Sequence, residues 1–124
     1  MRYMMLIYSQ ENEAAAPDEL SAIAAGHRAV MEETARRGVF LAADPLEPTA
    51  TATTVRIENG HALVTDGPFA ETKEQLAGYY ILDCRDLDEA IAWAAKIPTS
   101  CKGGAGCIEI RPIHEFSRPL PVNG

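Results

Sequence analysis

Residues 2–8 place apolar side chains on both alternating sets, Tyr3, Met5 and Ile7 against Met4, Leu6 and Tyr8. That is the pattern of a strand buried on both faces. A polar stretch to Ala16 follows, and Pro17-Asp18-Glu19 then opens a helix. Proline suits the first turn, and two acids suit its positive dipole end. The helix runs to Arg36-Arg37, and Gly38 is a left-handed stop. Val39-Phe40-Leu41-Ala42-Ala43 reads as a second strand closed by Asp44-Pro45. Residues 53–58 and 61–65 flank Asn59-Gly60, the strongest short-range signal for a tight hairpin.

A loop from Asp66 to Gln75 leads to a third doubly apolar strand, residues 76–82. Asp86 and Glu89 have capping-box spacing for a second helix, Leu87 to Ile97, which Pro98 ends. A glycine-rich linker precedes the last strand, Cys107 to Arg111, where Pro112 suits an edge. The tail over residues 112–124 reads as extended. With the hairpin set aside, the order is β-α-β-β-α-β, the ferredoxin-like split arrangement of an α+β fold. Nothing divides the 124 residues into more than one domain. Two helices cover one face of such a sheet. The other face needs cover too, in part from the hairpin or, better, from the same face of a second subunit. A homodimer is the expectation.

Composition narrows the partners. A net charge of −7 with scattered cations argues against nucleic acid, which needs a basic face. No run approaches the ~20 apolar residues of a membrane helix, and the short apolar opening lacks a cleavage site, so a cytoplasmic protein is expected. An anionic small molecule remains compatible if a few cations converge on it. The three cysteines, Cys84, Cys101 and Cys107, cannot all pair and match no zinc spacing. Cys101 and Cys107 flank the glycine-rich linker, and a redox pair there is conceivable.

Chemistry has few places to sit. His27 lies mid-stripe on the first helix, spaced four or seven residues from Leu20, Ile23, Met31 and Thr34. It is either a hydrogen-bonded core histidine or an acid-base group between helix and sheet. Asp66-Gly67-Pro68-Phe69 is either a plain turn or a carboxylate held at a strand end, able to orient an imidazole. Lys73, in the densely polar loop, could contact an anionic ligand. Tyr79, Tyr80 and Trp93 read first as core or interface aromatics, and Tyr80 joins Lys73 as a candidate binding residue. Gly78 marks a bulge or room for a ligand.

The run from Asp66 through Gly67-Pro68-Phe69 to Leu76-Ala77-Gly78-Tyr79-Tyr80 resembles the signature of the YCII-related proteins with the DGPF motif. The likeness extends to residues 3–8, 50–56, 86–90 and 109–112. It implies a ferredoxin-like fold assembling as a dimeric α/β barrel, and little about activity. Members of the wider group carry a His-Asp pair proposed as an active site, and one branch eliminates chloride from a chlorinated hydroxyquinol. Their histidine stands eleven residues before the glycine ending the first helix, a spacing that His27 and Gly38 match. The resemblance leaves the aspartate open between Asp66, the first choice, and Asp44. It also implies a functional link to a sigma factor. Together these readings give a small-molecule lyase or isomerase without metal or organic cofactor, with His27 as base and Asp66 as its partner. The rival is a non-catalytic module binding a metabolite or a protein, associated with transcriptional regulation.

Overall fold

The computed structural model describes residues 1–11, 15–99 and 105–116. Four strands form the main sheet: β1 (Arg2–Ser9), β2 (Phe40–Pro45), β5 (Gln75–Asp83) and β6 (Gly106–Pro112). Their order is β2-β5-β1-β6, with β1 antiparallel to β5 and β6 and β2 antiparallel to β5. Helices α1 (Pro17–Arg36) and α2 (Leu87–Ala94) complete the ferredoxin-like arrangement. A separate ribbon, β3 (Thr53–Glu58) and β4 (His61–Asp66), is inserted after a short 3-10 turn at Thr49–Thr51.

Local chemistry accounts for the boundaries. Gly38, at φ 71°, ends α1, and Val39 N–H returns to Thr34 O at 2.9 Å. Asn59 and Gly60 have φ of 50° and 78°, the left-handed pair that a two-residue hairpin turn requires. Asp86 caps α2 by accepting from Glu89 N–H at 2.9 Å, while the Glu89 carboxylate accepts from Arg85 N–H at 2.7 Å. Two expected boundaries shift by more than one residue. β2 continues through Asp44-Pro45, because this edge strand pairs only with β5 and loses nothing to the proline. α2 stops at Ala94 rather than Ile97. The chain there tightens into three-residue turns, with Lys96 N–H on Trp93 O at 3.0 Å and Ile97 N–H on Ala94 O at 3.1 Å.

The core lies between sheet and helices. Tyr3, Met5 and Ile7 of β1 and Tyr80 and Leu82 of β5 face Val30 and Thr34 of α1 and Ala90, Trp93 and Ala94 of α2. Leu20, expected on the buried stripe, is exposed, so the first turns of α1 stand off the sheet. The alternate residues Met4, Leu6, Tyr8, Tyr79 and Ile81 point to the other face and are half-buried. The ribbon does not supply the cover considered for that face, since its large apolar residues Val55, Ile57, Leu63 and Val64 are all exposed. Where β5 passes Gly78, the ladder slips by one residue between Ile7 and Tyr8. Gly78 does mark a bulge, but the space beside it is filled: a Cβ there would meet Asp44 O at 2.8 Å. Residues 113–116 keep contact with the sheet, Ile113 N–H bonding Arg2 O at 2.9 Å and Glu115 pairing with Arg2 at 2.7 Å. Residues 117–124 of the expected tail lie outside the described residues.

Leu82 is fully buried and Leu76 is 37% exposed, which makes a matched pair. Leu82→Ala is expected to cost about 2–5 kcal/mol in urea unfolding, against less than about 1 kcal/mol for Leu76→Ala. Equal costs would mean that the core lies elsewhere.

Candidate functional site

His27 does point from α1 toward the sheet, and its partner there is a tyrosine. The imidazole Nδ1 lies 2.9 Å from Tyr80 Oη, with ring centroids 5.9 Å apart. Tyr80 Oη also lies 3.3 Å from the His27 backbone oxygen. One phenol therefore ties the middle of α1 to the centre of β5. Burial alone lowers the His27 pKa below its ordinary value, so the ring is neutral at pH 7. Burial pushes the Tyr80 phenol up to about 12, so it remains protonated. Nε2 has no hydrogen-bond partner among the described residues.

The phenol has one proton, and two arrangements are self-consistent. In one, Tyr80 O–H donates to Nδ1 and the imidazole shows an Nε2–H donor outward. In the other, Nδ1–H donates to Tyr80 Oη, the phenol donates to the His27 carbonyl, and Nε2 is left as an acceptor. The first uses the phenol's proton in the 2.9 Å contact, and the second commits it to the 3.3 Å contact.

The carboxylates nominated from sequence stand elsewhere in the chain. Asp44 Oδ2 accepts from Tyr79 Oη at 2.7 Å, and this bond raises the Tyr79 pKa. Tyr79 and Tyr80 are neighbours on β5 and point to opposite faces. Asp44 thus belongs to the open face of the sheet and His27 to the helix face. Asp66 is exposed at the end of β4, in register with Thr53, and its carboxylate is not among the partners of His27. A second tyrosine–carboxylate contact on the open face, Tyr8 Oη to Glu109 Oε1 at 3.4 Å, was not foreseen. Strand alternation alone could have put Tyr79 and Asp44 on one face, but only the register makes them neighbours.

The rest of the motif builds the base of the ribbon. Gly67, at φ 98°, donates N–H to Ala52 O at 2.7 Å, and its own carbonyl accepts from Thr54 Oγ1 at 2.8 Å. Lys73 is exposed in a loop where Thr72 Oγ1 bonds Glu74 O at 2.7 Å and Gln75 Nε2 bonds Thr72 O at 2.6 Å. It is not brought to the His27–Tyr80 pair. Cys84 is buried and its thiol pushed up to about 11, mainly by burial. Cys107 is exposed, and Cys101 lies outside the described residues. The two principal clefts are not lined by His27. One, of about 390 Å³, runs between α1 and α2 past Glu33, Arg37, Arg85 and Lys96. The other, of about 250 Å³, lies beside Leu46, Pro48 and Leu76. Among the described residues no three His, Cys, Asp or Glu side chains converge as metal ligands, and no helix is long and apolar enough to cross a membrane.

A four-stranded antiparallel sheet backed by two helices, with a histidine–tyrosine tie between the layers, defines a ferredoxin-like α+β protein. The YCII-related domain matches residues 1–117, and the chain belongs to that family. It is 36% identical over 115 residues to an uncharacterised protein of Rhizobium meliloti (strain 1021), covering 91% of this chain and 92% of the relative.

The lowered His27 pKa has a consequence for stability. The folded ring holds its proton less tightly than the unfolded one, so the unfolded state binds more protons just below pH 6.5. This contribution is fully present above the unfolded value and is lost as pH falls through the folded one. Unfolding free energy measured by urea from pH 8 to about 5 should therefore decline on the acid side. His27→Gln should lack that component. A slope unchanged by the substitution would show that His27 titrates alike in both states.

Proposed function

We propose that this YCII-related protein is a non-catalytic, homodimeric binding module for a small metabolite, with His27 presenting an Nε2–H donor to an anionic or carbonyl oxygen. The observation that carries this reading is the 2.9 Å contact between Tyr80 Oη and Nδ1, in which the phenol is able to donate to the ring. A neutral imidazole fixed in that tautomer offers a directional donor without a charge. The distribution of carboxylates supports the same reading. With Asp44 bound to Tyr79 on the far face and Asp66 on the ribbon, no acid among the described residues is hydrogen-bonded to the ring to orient it as a base. The dimer is supported by the half-buried apolar row Met4, Leu6 and Ile81 on the open face, and the sigma-factor link implied by the family fits a module more readily than an enzyme.

One observation favours the second reading, a cofactor-independent lyase or isomerase. The 3.3 Å contact from Tyr80 Oη to the His27 carbonyl permits the other tautomer, with Nε2 as the proton acceptor. Tyr80 would then fill the orienting role assigned to an aspartate.

Nitrogen-15 spectra of the histidine side chains separate the two. The binding reading expects a protonated Nε2 at pH 7 and a saturable shift of its signal on adding acetate or inorganic phosphate, absent in His27→Gln. A bare Nε2 assigns the ring to proton transfer. A protonated Nε2 that neither anion perturbs removes the binding role. For the dimer, light scattering should show twice the chain mass at micromolar concentration, with stability falling on dilution. A folded monomer there would end that part of the proposal.

A further inference from the structure

The β3–β4 ribbon has an apolar face that no described residue of its own chain covers. Cross-strand pairing sets Val55 opposite Val64 and Ile57 opposite Ala62. One face therefore carries these four, with Thr53 and Asp66 at its base, while Arg56, Glu58, His61 and Leu63 point the other way. Val55, Ile57 and Val64 are 57%, 70% and 64% exposed, and Phe69, just past the base, is 76% exposed. A two-stranded hairpin alone is marginal in water. Yet this one has a tight left-handed turn and a base clasped by Gly67 and Thr54. In β3 the alternation Val55-Arg56-Ile57-Glu58 is that of a strand with one packed face.

We infer that this face docks on a second copy of the chain, so that two copies exchange ribbons as arms about a two-fold axis. The inference rests on the dimer proposed above and adds to it the part that closes the interface. At about 4.8 Å between strands and about 3.3 Å per residue, the open sheet face offers on the order of 450 Å² per copy. Stable interfaces bury about 600–1,000 Å² per partner, so the sheet alone falls short. The ribbon face adds roughly 200 Å² and brings the total into that range. Charge favours the same contact. Each copy has a net charge of −7, and the ribbon's apolar face carries no charged residue beyond Asp66 at its base. Two acidic chains can meet there with little repulsion. The docking is isologous: each copy gives one arm and receives one.

The test compares the wild type, the double variant Ile57→Lys/Val64→Lys and the control Leu63→Lys on the opposite ribbon face by sedimentation. The double variant should raise the dimer dissociation constant about a hundredfold, and the control by less than about threefold. Hydrogen exchange on the unmodified chain checks this without a substitution. Ribbon amides should be about tenfold better protected at concentrations where the chain is dimeric than where it is monomeric. A double variant that dimerises like the wild type overturns the arm and leaves the sheet-face dimer standing. Ribbon protection that is high and independent of concentration places the cover within one chain and also overturns it. A wild type that is monomeric at micromolar concentration removes both readings.

Discussion

The structure depends on the central pair β1 and β5, whose residues serve two environments in strict alternation. Tyr3, Met5, Ile7, Tyr80 and Leu82 are buried under the helices, and Met4, Leu6, Tyr79 and Ile81 lie on the open side. Burying the first set drives the packing of α1 and α2. The helices leave the second set only half-covered. His27 and Asp44 are separated by the same rule, because Tyr80 and Tyr79 take them to opposite sides.

Most of the architecture was legible in the sequence. Doubly apolar runs located β1, β2 and β5, Gly38 ended α1, and Asn59-Gly60 fixed the hairpin. Each signal is local, acting through a turn or a few alternating residues. The site was less legible because its geometry is not local. Helical spacing correctly turned His27 toward the sheet, but which side chain met it depended on how far α1 sits along β5. Tyr80 was singled out, though not as the imidazole's partner. Asp66 and Asp44 were nominated by chemical type, and type carries no information about which face of a sheet a residue occupies.

The DGPF segment illustrates a related point. Its glycine supplies a positive φ and two backbone hydrogen bonds that clasp the ribbon. Those demands explain the residue type at Gly67 without any ligand. A motif can be specific to a family because it builds a projecting element, and the chemistry can lie on another strand.

The slip in the ladder beside Gly78 acts as a change of parity. On its C-terminal side, even-numbered residues of β5 face the helices, whereas Leu76, before it, pairs with Tyr8 on the open side. The bulge thus hands the loop over to the sheet with its faces exchanged. A one-residue deletion at Ala77 would restore a regular ladder and leave Leu76 opposite Tyr8 and Gln75 opposite Ser9, so the bulge lets the loop count its residues one out of step with the strand that follows.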